Sequence, residues 1–235
     1  VTANNKVTGS SYPHFLTGEW LPPQRAQRIQ ELLAQAPRHS LQDNMRIQND
    51  TVSLLAREMV PLFLASLPDR ADRDPLTIDV LTRMQQWDGD MRADRPEPTI
   101  FHGWMVNFCR RALLQAVGPS LTGDLLGDGL IEGFTGYPFH KIVYELGQRW
   151  LSQGAPAWVG PVAPLVAPAL RETLTWLTAR HGGDPAAWQW GVFHRLNLHN
   201  HLARIPALGQ FWKPISMPIG GSGFTVNQAD VTPPF

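Results

Sequence analysis

His194, His199 and His201 form the one cluster of histidines with metal-type chemistry in the chain. Imidazole is the commonest zinc ligand, and three imidazoles can hold a catalytic metal. Their spacing lacks the i, i+4 pair with an adjacent glutamate that a metalloprotease helix carries. No cysteine is nearby, and the closest upstream acid is Asp184. These histidines read as core or loop residues with satisfied hydrogen bonds. Asp88, Asp90 and Asp94 raise calcium, which takes clustered carboxylates. The chain lacks the glycine and terminal glutamate of an EF-hand loop, and Asp88 reads as a helix cap or end. Cys109 falls on an apolar face between Phe108 and Arg110 with no base placed beside it, so it reads as a small core residue. Ser10 and Ser11, after Gly9, lack the strand-turn-helix context of a nucleophile elbow and read as turn residues. By themselves, Asn4-Asn5 fit a turn or strand end. Arg25 falls in a first helical turn, where a cation is electrostatically disfavoured.

The elements that must position these groups are mostly helical. Residues 1–8 read as a strand running out at Gly9-Ser10-Ser11. A helix starts near Pro22-Pro23, with Ile29, Leu32 and Leu33 on one face, and Pro37 ends it. Ser40 caps a short helix by accepting from the backbone of Asp43. Val52 to Leu67 is helical, and Pro61 is expected to kink or break it. Asp74-Pro75 opens another helix that stops at Gly89. Pro98 to Val117 reads as a long buried helix, Leu121 to Gly136 as a loop with short helical turns. Tyr137 to Leu151 and Leu165 to His181 are further helices. The best late strand is 224–228, after Gly220-Gly221. Single strands near 1–8 and 224–228 need partners. They are expected to pair with each other or to complete a sheet built by sequence outside these 235 residues.

Composition narrows the class. Lysine plus arginine equals aspartate plus glutamate at 20 each, so the basic excess of a nucleic-acid binder is missing. The nine tryptophans demand burial. A single cysteine permits no internal disulfide. The most apolar region, 155–170, is cut by four prolines and falls short of the roughly 20 apolar residues of a membrane span. Val1-Thr2-Ala3-Asn4 has neither the basic start nor the apolar core of a signal peptide.

The order of several pieces carries a resemblance. Ala3-Asn4-Asn5-Lys6-Val7, Tyr12-Pro13, Trp20 and Arg25-Ala26-Gln27-Arg28-Ile29 come first. Gln48-Asn49-Asp50 and Trp87-Asp88-Gly89 follow, then Trp190-Gly191 with His194, then Gly220-Gly221 with Thr225-Val226-Asn227. This sequence resembles the penicillin acylase family of N-terminal-nucleophile amidohydrolases over nearly its whole length. The resemblance implies a mainly helical segment, with a few strands, of an αββα four-layer sandwich. Residues 1–235 would form one segment of the catalytic subunit. It implies hydrolysis of an N-acyl amide, such as a penicillin or an acyl-homoserine lactone, by an N-terminal serine. Val1 carries neither the hydroxyl nor the thiol such a nucleophile needs, so the serine is expected outside this chain and the isolated chain is expected to be inactive.

In the family the first asparagine of the pair donates its amide to the oxyanion, a role that falls on Asn4. The family arginine near the catalytic centre falls on Arg25, with Arg28 as the alternative. The positive charge of Arg25 would help keep a nearby terminal amine unprotonated. Many members hold a structural calcium through a carboxylate between the asparagine pair and the arginine. That span offers Glu19, with His14 and Thr17, so calcium has no clear ligand and the chemistry requires no cofactor. Partners implied are the rest of the precursor, comprising the small subunit and the start of the catalytic subunit, and an N-acyl small molecule. Nucleic acid and a membrane span are not among them. The implied location is periplasmic or extracellular. A helical scaffold without chemistry is the competing expectation.

Overall fold

The computed structural model describes residues 1–9, 11–17, 20–69, 74–126, 139–198 and 215–228. Its elements are α1 (Gln24–Leu33), α2 (Leu41–Gln48), α3 (Leu54–Ala65), α4 (Pro75–Gln86), α5 (Glu97–Leu126), α6 (Phe139–Gln153), α7 (Val166–His181) and α8 (Trp190–Phe193). The strands β1 (Arg195–Leu198) and β2 (Ile215–Pro218) pair antiparallel, Arg195 opposite Pro218 and Leu198 opposite Ile215. The architecture is mainly α, as the helical periodicity implies.

Helix starts follow from cap chemistry. The Ser40 hydroxyl accepts from the Asp43 amide while the Asp43 carboxylate accepts from the Ser40 amide, a reciprocal capping box. Ser53 caps α3 by accepting from the Ala56 amide at 3.1 Å. Asp74 caps α4, with Pro75 in the first turn. The hydroxyl and amide of Thr77 both donate to Asp74 and hold its carboxyl below the usual carboxylate range, the hydroxyl contributing most. A carboxyl depressed in the folded state adds stability above its unfolded pKa, about 3.9, and loses it as pH falls through the folded value. We therefore expect exchange protection of the Thr77 amide to be flat from neutral pH down to about 5, then to fall in acid. Protection unchanged into strong acid would contradict this.

α3 runs through Pro61 without the break that was one of its two expected effects, a kink being the other. An interior proline costs about 3 kcal/mol. Leu55, Met59, Val60 and Phe63 are all buried on this helix, and each such side chain returns about 1.5–3 kcal/mol. Burial outweighs the proline. The break falls instead in α5 at Gly118, where φ 76° and ψ 175° lie outside the helix and Pro119 follows.

α5 is the central element, packed by α6 on one side and α7 on another. Glycines set both approaches. A Cβ on Gly103 would stand 2.6 Å from Thr173 Cγ2, and one on Gly147 would stand 2.8 Å from Cys109 Sγ. Trp104 anchors the middle. It is fully buried, stacks on Phe63 at 4.7 Å between centroids, and donates its indole N–H to the Val166 carbonyl at 2.9 Å.

The two strands expected from sequence, near 1–8 and 224–228, do not form. Over residues 1–9 the only ladder contact is an isolated parallel bridge between Asn5 and Leu21. Asn4 takes φ 63°, the left-handed region, which interrupts an extended run. Residues 223–227 are turns and bends, because the Thr225 hydroxyl donates to the Ser222 and Asn227 carbonyls. Side-chain bonding of this kind competes with a sheet ladder. The strands that do form, β1 and β2, are short and exposed, and they follow the Trp190–His194 stretch.

Candidate functional site

The described residues before α1 meet one another near Asn4. The Leu21 amide donates to the Asn4 carbonyl at 2.8 Å, bringing the residues that precede α1 alongside the asparagine pair. α1 then carries Arg25 to Asn4. The Arg25 Nη1 donates to Asn4 Oδ1 at 3.3 Å across 21 positions of sequence. Guanidinium is a donor with no acceptor. The Asn4 oxygen must therefore face Arg25, and the NH2 of the amide points the other way. The Asn4 side chain is exposed, so that NH2 is presented at the surface.

Asn5 works inward. Its Oδ1 accepts from the Ala3 amide at 3.0 Å, and its Nδ2 donates to the Lys6 carbonyl at 3.1 Å. The pair is thus a turn with one amide facing out.

Arg28 has a different task. Its Nε and Nη2 form a bidentate pair with Asp50 at 3.0 and 2.8 Å, and its Nη1 donates to Glu31 at 3.0 Å. Both partners of the Asp50 pair are mostly buried, at 13% and 12% side-chain exposure. The hydrogen bonds it donates to Asp50 raise the guanidinium further above its ordinary range. The Asp50 carbonyl also accepts from the Asn227 amide at 2.9 Å. Arg28 therefore fastens α1 to the segment after α2 and to the last described loop. It sets the position of the helix from which Arg25 reaches Asn4.

The remaining candidates among the described residues make contacts within the fold. His194 is buried, and its Nδ1 lies 2.9 Å from the Ile219 carbonyl. A carbonyl only accepts, so Nδ1 carries the proton. The Trp190 indole lies flat between His102 and His194, each 4.7 Å from it between centroids, and donates to the Gly221 carbonyl at 2.9 Å. His199 and His201 lie outside the described residues. Asp90 accepts from Thr51 at 2.5 Å, Asp94 pairs with Arg92, and Asp88 accepts from the Asp90 amide at 3.1 Å. Among the described residues no three His, Cys, Asp or Glu side chains come together as a metal site. Glu19, the carboxylate in the span where the resemblance places a calcium ligand, lies outside the described residues. Cys109 is buried, and burial pushes its thiol well up, away from the thiolate a nucleophile requires. Ser11 sits in a turn whose Tyr12 amide donates to the Gly9 carbonyl. Among the described residues no helix is long and apolar enough to cross a membrane.

What sequence reasoning missed is the part played by Asn5 and Leu21. The asparagine pair was the signal for the first, since asparagine side chains bond readily to neighbouring backbone groups. Nothing local marks Leu21.

The family model for penicillin amidase matches residues 1–234. Penicillin acylase 2 proenzyme from Pseudomonas sp. (strain SE83) is 30% identical over 239 residues, covering 96% of this chain and 28% of that protein. Acyl-homoserine lactone acylase QuiP from Pseudomonas syringae pv. tomato is 26% identical, covering 96% of this chain and 29% of its own length. QuiP from Pseudomonas aeruginosa is 23% identical, covering 88% and 26%. The chain spans less than a third of the length of each of these relatives.

Proposed function

This chain belongs to the penicillin amidase family, and from that premise we propose that it is part of a hydrolase that cleaves the amide bond of an N-acyl compound, with Asn4 as oxyanion donor. The observation that carries the reading is the contact between Arg25 and Asn4. It fixes the amide so that a neutral N–H donor is presented outward. A neutral donor stabilises charge that develops in the transition state without pairing to a ground-state carboxylate.

In this reading the nucleophile is an N-terminal serine on sequence outside this chain, generated by autoproteolysis of a precursor, with its own α-amino group as base. Its hydroxyl adds to the substrate carbonyl, and the oxyanion so formed accepts from Asn4 Nδ2. The tetrahedral intermediate collapses to an acyl-enzyme and expels the amine, which takes up the proton. Water then releases the acid. Arg25 orients the Asn4 amide, and its fixed charge favours the unprotonated state of an amine close by. The chain contributes outer helices and edge strands to an αββα sandwich. The rest of the precursor supplies the acyl pocket, so penicillins and acyl-homoserine lactones both remain within the substrate class. A periplasmic or extracellular location accompanies this reading.

The test is turnover of chromogenic N-acyl amides. The chain by itself is expected to give none above buffer. The same chain joined to the upstream segment of its gene, processed to expose the serine, is expected to be active. Turnover by the isolated chain would contradict the placement of the nucleophile. An upstream sequence without such a serine would remove the reading altogether.

A further inference from the structure

We infer that Asn5 is a positioning residue for the oxyanion donor, holding Asn4 in its left-handed backbone conformation so that the Asn4 amide keeps its aim. The inference rests on the acylase reading above.

Asn4 is the only non-glycine residue with positive φ among the described residues. L residues avoid this region, and asparagine enters it as a single residue when local hydrogen bonds support it. Those bonds come from both sides here. On one side Asn5 Oδ1 accepts from the Ala3 amide at 3.0 Å, which spans Asn4, and Asn5 Nδ2 closes onto the Lys6 carbonyl at 3.1 Å. On the other side the Leu21 amide holds the Asn4 carbonyl at 2.8 Å. Ala3 is buried, so loss of its partner would leave an amide poorly served by water. A change of φ from positive to negative at Asn4 swings its Cβ around the backbone and carries Oδ1 away from Arg25. The side chain of Asn5 thereby sets where the Asn4 amide points, without touching substrate.

The test compares Asn5→Ala and Asn5→Asp in the processed hydrolase and in this chain. Asn5→Asp keeps an oxygen for the Ala3 amide. Asn5→Ala is expected to lower kcat about tenfold with KM near the parent value, the signature of lost transition-state stabilisation. Asn5→Asp is expected to restore most of it. In the isolated chain, NMR coupling at Asn4 is expected to report positive φ in the parent and Asn5→Asp proteins, and its loss in Asn5→Ala. Parental kcat in Asn5→Ala overturns the inference. So does a kcat loss that tracks a general fall in stability and is not rescued by Asn5→Asp. Were the processed hydrolase inactive on every amide, the catalytic reading would fall. The NMR comparison would still decide whether Asn5 holds Asn4, and an unchanged positive φ in Asn5→Ala would sink that claim.

Discussion

Substitution of Asn4 by alanine in the processed hydrolase is expected to lower kcat by about 10²–10³, the cost of about 2.7–4 kcal/mol associated with losing one oxyanion donor. KM should change little, because the donor acts on charge absent from the ground state. Asn4→Gly is the informative companion. Glycine takes φ 63° without strain, so it preserves the backbone observed at this position while deleting the amide. Equal losses in the two variants would assign the effect to the amide. Near-parental kcat in Asn4→Gly would show that only the turn matters and would remove Asn4 from the site. Arg25→Ala should have a smaller effect, since its contact with Asn4 is exposed and orients the donor instead of contacting the reacting carbonyl.

Truncation of Trp190 to alanine is expected to destabilise the folded chain by about 3–5 kcal/mol, measured by urea denaturation. Three contributions meet there. The indole is 1% exposed, it fills the space between His102 and His194, and it donates to the Gly221 carbonyl. The alanine leaves a cavity and an unsatisfied carbonyl together. Trp190→Phe keeps most of the apolar volume and loses the N–H, so it should cost about 1–3 kcal/mol, the range for an orphaned buried acceptor. A loss below about 1 kcal/mol in the alanine variant would mean that this stack is not a structural joint.

Helix starts were legible because their signals are local. Ser40 with Asp43, and Asp74 with Pro75, state in adjacent residues the bonds they make. The continuity of α3 was not legible, since the burial that overrides Pro61 comes from α1, α4 and α6 and from Trp104 and Phe108 of α5 against Phe63, which the local pattern cannot weigh. The strands were misplaced for a related reason. Asn4 leaves the extended region in the middle of a run that reads as a strand, and the bonds around it run to Asn5 and Leu21, which the run itself does not announce. β1 has a mostly exposed, unpatterned sequence, Arg195-Leu196-Asn197-Leu198, that only its partner β2 makes a strand. For the candidate site, Asn4 and Arg25 were proposed from residue type and order, and the bond between them is seen only in the fold. The distinction between Arg25 and Arg28 needed it too. Both lie on one helix three residues apart, and only the location of Asp50 shows which one is engaged in holding the chain together.

The left-handed backbone at Asn4 also bears on how freely this position can change over evolutionary time. Apart from glycine, the residues that enter that region readily are asparagine, aspartate and histidine. Glycine has no donor. In the proposed role, aspartate would place a negative charge where negative charge develops. Histidine can both donate and accept, but its tautomers exchange the two roles, and protonation would set a cation against Arg25. Asparagine alone combines a tolerated φ, an acceptor for the arginine and a neutral N–H opposite it. A lineage that loses this residue has no nearby substitute in sequence space, so drift at this position should be nearly frozen as long as the activity is under selection.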